Sequence, residues 1–156
     1  RLLTGESVYR HIDWPVVTLL AAMIPIGNTL TEYKITSDFA LFLASYSQSL
    51  DFVWMIIIIM IITMLLSDVI NNAATAVIMG PLAASLAVQI NQPVEPFLMA
   101  VAIGASCAFL SPIGHQCNTL VMGPGNYKFG DYWKMGLPLE ILIIFVSVPL
   151  IVFYWA

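Results

Sequence analysis

Hydrophobic positions along this chain are almost unbroken in two places, and the breaks between them are polar. Phe52 to Leu66 carries a single polar side chain, Thr63, and Ala76 to Val88 is almost entirely small and apolar. Between these runs lies Ser67-Asp68-Val69-Ile70-Asn71-Asn72-Ala73-Ala74-Thr75. Runs of this kind predict two helices joined at a polar junction. Adjacent asparagines suit that junction, because they tolerate left-handed backbone, cap helix N-termini and offer both carbonyl and amide groups. A second break, Ser111-Pro112-Ile113-Gly114-His115-Gln116-Cys117-Asn118-Thr119, again interrupts apolar sequence. At membrane depth, non-helical backbone persists only where it is buried in protein or lines a cavity, since each unmatched N–H or C=O costs several kcal/mol.

Taken in order, residues 1–13 are polar and read as a cytoplasmic connector, and the start Arg1-Leu2-Leu3, without a Met or a signal-peptide pattern, reads as a piece of something longer. Trp14-Pro15 opens a spanning helix to about Leu30, with Pro at the first turn and Trp at interfacial depth. Ile35, Phe39, Phe42, Leu43, Tyr46 and Leu50 then recur at helical spacing, with polar residues between them. That pattern predicts an amphipathic helix lying along the membrane or packed on protein. Residues 14–50 are thus a scaffold helix plus an interfacial helix. Helices from Asp51 to about Val69 and from about Ala73 to Ile90 form either two full spans or a re-entrant hairpin over 51–90, and the polar tip favours the hairpin. A broken helix follows over 94–122, with a first arm to Leu110 and a second from about Thr119. The last transmembrane helix, 132–156, is apolar apart from Glu140 and Ser147 and ends in the aromatic belt Phe153-Tyr154-Trp155. Arg1, Arg10, Lys128 and Lys134, placed together inside, set the hairpin to enter from outside.

Composition narrows the class. Of 156 residues 60% are hydrophobic and only 9% charged, far below the roughly 25% charged residues of a soluble domain, so the chain is read as an integral membrane protein whose surroundings are the lipid bilayer. A net charge of −4 with five Lys/Arg gives no basic patch and no reason for a nucleic-acid partner. The two cysteines, Cys107 and Cys117, sit in or beside the second break and give no disulfide framework.

Candidate chemistry lies at the breaks. Two interrupted hydrophobic segments point to a transporter site, where half-helix N-termini face an anion and unwound carbonyls hold a cation. Asn71 and Asn72 are candidates for ligand contact, against a purely capping role; Ser67 and Thr75 offer hydroxyls, against back-bonding within their helix. Gly114 lets backbone unwind, His115 and Gln116 are candidates to face a cavity, and Asn118 to cap the next arm. Asp68 is a cation or proton site by default, or else a carboxylate reaching cavity water. Glu140 reads as snorkelling to the interface. His115 with Cys117 falls short of a tetrahedral metal set, and Ser67, Asp68, Ser111 and His115 lack the elbow of a hydrolase. No enzyme activity and no organic cofactor are expected.

At Ser67-Asp68-Val69-Ile70-Asn71-Asn72-Ala73-Ala74-Thr75-Ala76 and Ala105-Ser106-Cys107-Ala108-Phe109-Leu110-Ser111-Pro112-Ile113-Gly114-His115-Gln116-Cys117-Asn118-Thr119, the sequence resembles the divalent-anion/sodium symporters, the sodium-sulfate and di- and tricarboxylate type. The resemblance covers essentially the whole chain. It implies an all-α integral membrane fold, the C-terminal part of an inverted-repeat transporter with a re-entrant hairpin and a broken transmembrane helix. The family's Ser-Asn-Thr tip falls on Asn71, Asn72 and Ala73, and its Ala-Thr-Pro on Gly114, His115 and Gln116. The resemblance therefore implies substrate contact at Asn71, Asn72, Ala73, His115 and Gln116. It also implies sodium contact at Ser67, Asn72 and the carbonyls near Ile70 and Gly114. Loss of the tip hydroxyls, with His-Gln in place of Thr-Pro, brings the chain closer to bacterial sulfate- or citrate-type permeases.

The expected function is secondary active transport of a small anion, sulfate or a di- or tricarboxylate, across the plasma (inner) membrane, coupled to sodium. A cavity histidine makes the proton a rival coupling ion. Two other readings stand beside it: a cation/proton antiporter with Asp68 as carrier, and a membrane subunit without transport. The resemblance further implies an upstream N-terminal half and a homodimer.

Overall fold

The computed structural model describes residues 51–155 throughout, with only isolated positions between 17 and 45. The connector expected over 1–13 lies outside the described residues, and the helices expected over 14–50 lie almost entirely outside them. Among the described residues every regular element is helical: α1 Phe52–Val69, α2 Asn72–Gln89, α3 Glu95–Ala105, α4 Gln116–Met122, a 3-10 turn Phe129–Asp131 and α5 Tyr132–Trp155. Among the described residues, three stretches are long and apolar enough to cross a membrane, Phe52–Val69, Asn72–Gln89 and Phe129–Trp155. Each arm of the first pair has 18 residues, about 27 Å of helix at 1.5 Å per residue.

The isoleucine-rich α1 is helical although β-branched residues form helices poorly in water, because apolar surroundings leave the backbone no other partner. Its buried positions Met55, Ile56, Ile59, Met60, Thr63, Met64, Ser67 and Asp68 make one continuous stripe. That stripe packs chiefly on α3, around the fully buried Phe97, Ala100 and Val101, and meets Leu82, Ala83, Leu86 and Ala87 of α2. Phe52 closes one end edge-to-face on Phe97 at 5.6 Å. At the other end Gly104 sets the crossing distance: a Cβ there would lie 3.0 Å from the Met60 carbonyl oxygen and from Thr63 Cβ. The helix crossing thus brings the polar end of α1 against the C-terminus of α3. Asn91, in left-handed backbone at φ 53°, ends α2, and the Gln92 N–H donates back to the Ala87 carbonyl at 2.9 Å.

Two boundaries differ from expectation. α3 stops at Ala105 rather than near Leu110, and α4 starts at Gln116 rather than Thr119. Residues 106–115 between them are non-helical. The cause is distant in sequence: the Leu110 and Phe109 N–H groups donate to the side chains of Asp68 and Glu140 instead of to a preceding turn. Apolar Cys107-Ala108-Phe109 is consequently held open.

Candidate functional site where the two breaks meet

Helix α1 ends at Val69, Ile70 takes extended backbone with its N–H still on the Leu66 carbonyl at 2.9 Å, and Asn71 caps α2. Asn71 Oδ1 accepts from the Ala74 N–H at 2.8 Å, so this asparagine performs the capping role, and it is exposed. Asn72 behaves differently. Its side chain points back into the fold, and its amide group lies against three oxygens: Ser67 Oγ at 3.0 Å, the Ala105 carbonyl at 3.1 Å and the Gly114 carbonyl at 3.2 Å. Ser67 is fully buried and its hydroxyl donates to the Ala105 carbonyl at 2.7 Å. The end of α1, the start of α2, the end of α3 and the second break therefore meet at one polar point.

A second set of bonds fastens the break. The Leu110 N–H donates to Asp68 Oδ1 at 2.9 Å, and Ser111 Oγ donates to the Asp68 carbonyl at 2.6 Å. Ser111 Oγ also accepts from the N–H groups of Ile113 at 3.1 Å and Gly114 at 3.2 Å. One hydroxyl thus organises the tightest part of the loop. Gly114 is required by proximity, since a Cβ there would lie 2.6 Å from Ala108 Cβ and 2.7 Å from the Ser67 carbonyl. Past the break, His115 caps α4 by accepting the Cys117 N–H on Nδ1 at 3.2 Å. Asn118, expected as a cap, instead donates from Nδ2 to the carbonyls of Ala108 at 2.8 Å and Ser111 at 3.0 Å. It matches loop acceptors that would otherwise be bare.

Of the residues singled out in the sequence, Ser67, Asn72 and Gly114 converge at this point. Ala73 lies half-buried in the first turn of α2, His115 is half-buried, and Gln116 opens α4. Ile70 forms the junction itself. Thr75 is fully buried, and its Oγ1, like Asp68 Oδ2, has no hydrogen-bond partner among the described residues. Asp68 does not simply reach cavity water: it is only 6% exposed and holds the break. Glu140 corrects the snorkelling expectation. It is 6% exposed, and Oε1 accepts the Phe109 N–H at 3.5 Å. Beside it Gly136 lets α5 lie against the break, for a Cβ there would collide with the Phe109 carbonyl.

Two features carried no signal in the sequence. The Ala105 carbonyl belongs to an apolar residue inside an apolar run, so no side-chain pattern marks it. The role of Glu140 depends on a contact with a residue thirty-one positions away. A cavity of about 390 Å³ lies behind the break, bounded by Phe109, Asn118, Tyr127, Tyr132 and Gly136; none of Asn71, Asn72, Ala73 or His115 lines it. Among the described residues no three His, Cys, Asp or Glu side chains cluster as a metal set.

A convergence of hydroxyl, amide and carbonyl groups where two broken segments meet is chemically suited to a hard cation bound through oxygen. Comparison with known proteins places this geometry in context. The family described as citrate transporter matches over residues 1–156. An uncharacterized transporter of Synechocystis, sll0640, is 37% identical over 151 residues, covering 97% of this chain and 24% of that protein. Sodium/sulfate cotransporter 2 of Chlamydomonas reinhardtii is 29% identical, covering 94% of this chain and 17% of that protein. The sodium-dependent dicarboxylate transporter SdcS of Staphylococcus saprophyticus is 28% identical, covering 98% and 29%. The chain spans about a quarter of the length of the first of these relatives.

Proposed function

The chain belongs to the citrate transporter family, and from that premise we propose that it forms part of a secondary active transporter that moves sulfate or a di- or tricarboxylate together with sodium. The family and its named relatives are transporters and not enzymes. With three helices among the described residues long and apolar enough to span, the chain is part of an integral, multi-pass membrane protein. Sodium coupling and the anion are the steps taken here beyond that.

The observation that carries the proposal is the single polar point joining both breaks: Ser67 Oγ, the Asn72 side chain and the carbonyls of Ala105 and Gly114. A coupling cation held there draws together the starts and ends of four helical segments. The anion then faces the first turn of α2, where Asn71, Asn72 and Ala73 present backbone N–H groups and the positive end of a helix, and His115 and Gln116, at the start of α4, are its remaining contacts. On this reading α1 and α2 form a re-entrant hairpin, the parent carries a preceding half with a matching hairpin, and two parents pair as a dimer.

A proton-coupled reading draws on one observation, the buried Asp68 Oδ2 without a partner among the described residues. Uptake of labelled sulfate, citrate and succinate into proteoliposomes of the full-length parent tests both. The expected result is uptake driven by a sodium gradient and lost in Asn72→Ala. Uptake driven only by a pH gradient, and lost in Asp68→Asn, would move the coupling site to Asp68. No movement of any of the three anions under either gradient would overturn the anion reading.

A further inference from the structure

We propose that the cavity behind the second break is a phospholipid site, which takes one acyl chain between α4 and α5 and an amine head beside Tyr127, Asp131 and Tyr132. The site lies apart from the point where the two breaks meet, and the transport reading leaves it unused.

The cavity holds about 390 Å³, within the range of small-molecule pockets. Much of its wall is apolar: Phe109 from the break, Val121 from α4, and Met135 and Leu139 from α5. Val121, Met135 and Leu139 are exposed, so one side is open. Such walls suit a hydrocarbon chain and offer a polar ligand nothing to bond.

The polar lining gathers in one stretch. Tyr127, Asp131 and Tyr132 all face the cavity, at the start of the spanning stretch Phe129–Trp155, where aromatic side chains mark interfacial depth. The two tyrosine rings have centroids 6.1 Å apart and planes inclined at 60°, an open angle that presents ring faces to a cation. Both rings are held. The Tyr132 hydroxyl donates to the Asn118 carbonyl at 2.7 Å, and the Tyr127 ring lies on Gly125, where a Cβ would collide with it. Asp131 adds negative charge, and its Oδ1 pairs with Lys134 Nζ at 2.9 Å. Negative and positive groups thus stand side by side, which matches a zwitterionic head with its ammonium toward Asp131 and the rings and its phosphate toward Lys134.

A transmembrane helix laid over the same opening would take the Asp131–Lys134 pair out of water, at a desolvation cost that the attraction does not return. A lipid head leaves the pair at the membrane surface. Occupancy also reaches the break, since Phe109 and Asn118 line the cavity and Asn118 ties the carbonyls of Ala108 and Ser111. Bound lipid is therefore expected to stabilise the fold.

Melting of the full-length protein in detergent tests this, with added phosphatidylethanolamine, phosphatidylglycerol of the same chains, or glycerophosphoethanolamine, which is the head alone. Phosphatidylethanolamine is expected to raise the melting temperature saturably, and the other two are not. Val121→Trp and Leu139→Trp, at exposed positions on two different helices, fill the cavity. Each is expected to need about tenfold more lipid for the same rise, the loss of roughly two buried methylenes. Asp131→Asn keeps an oxygen for the Lys128 N–H and is expected to need about fivefold more. No rise with phosphatidylethanolamine, or an equal rise with phosphatidylglycerol, would overturn the inference, because the amine head would then not be read. An equal rise with the head alone would overturn it, because no chain would be needed. Wild-type affinity in either folded tryptophan variant would overturn it too, because the lipid would then be bound elsewhere. Binding alone is read, so the outcome is separate from that of the transport reading.

Discussion

Replacing Gly114 with alanine adds one methyl group to the most crowded point between the two breaks. The new Cβ would lie 2.6 Å from Ala108 Cβ, 2.7 Å from the Ser67 carbonyl oxygen and 3.0 Å from Asp68 Cα. Ordinary carbon contacts are about 3.5–4.0 Å, so the closest neighbour is about an ångström too near. None of the three is the free end of a flexible side chain; each is fixed to backbone, so the end of α1 and the loop must part. Overpacking of that kind costs about 1–3 kcal/mol. The same separation strains the Gly114 N–H bond to Ser111 Oγ and the Asn72 contact to the Gly114 carbonyl, each 3.2 Å, and losing one of them adds about 0.5–1.5 kcal/mol. A total of about 1.5–4.5 kcal/mol follows. Gly130, in the exposed 3-10 turn, is the control, since nothing lies within 4 Å of a Cβ built there, and alanine in place of glycine where the backbone permits it stabilises by about 0.4–1 kcal/mol. The assay is the apparent melting temperature of the full-length protein in detergent, with the sodium dependence of uptake beside it. Gly114→Ala is expected to melt well below wild type and to need more sodium, and Gly130→Ala to match or exceed wild type. Equal melting and equal sodium dependence for Gly114→Ala would refute the claim that the breaks are in contact.

Two carboxylates give further tests. Glu140→Gln keeps an oxygen for the Phe109 N–H and is expected to behave as wild type, whereas Glu140→Leu leaves a buried donor unmatched and is expected to lose about 1–3 kcal/mol in the same melting assay; equal loss in both variants would show that charge and not the hydrogen bond matters. Asp68→Asn likewise retains an acceptor for the Leu110 N–H and is expected to keep sodium-driven uptake, while Asp68→Leu is expected to lose both stability and uptake. Abolition of uptake in Asp68→Asn would make the carboxylate charge itself part of transport.

The helices α1 and α2 were legible in the sequence because their causes are local. An apolar run broken only by Thr63, then Asn71 and Asn72, then an alanine-rich run, reads directly as helix, cap and helix, and Asn71 Oδ1 does accept the Ala74 N–H. Gly114 was legible for a related reason, as a glycine amid polar residues at membrane depth. The end of α3 was not. Nothing near Ala105 in the chain stops a helix, and the groups that open it, Asp68 and Glu140, lie on other helices. The same non-locality hid Glu140, whose position near a helix start suggested the interface, and it hid Ala105, which acts through a backbone atom that its side chain does not advertise. His115 illustrates a milder gap: its type suggested a cavity role, and its local bond to the Cys117 N–H adds a cap that spacing alone did not reveal.

The open stretch 106–115 borrows its hydrogen-bond acceptors from two helices made at different times. Asp68, on α1, is synthesised before the stretch and is present when it enters the membrane; Glu140, on α5, arrives only afterwards. A nascent chain that has not yet made α5 is therefore expected to hold its Leu110 N–H matched and its Phe109 N–H bare, a state disfavoured in lipid. Assembly then has a direction, with α1 receiving the loop and α5 sealing it. Protease protection of chains truncated before and after α5 would expose that order, and equal protection of the two would show that the last helix is not needed to close the structure.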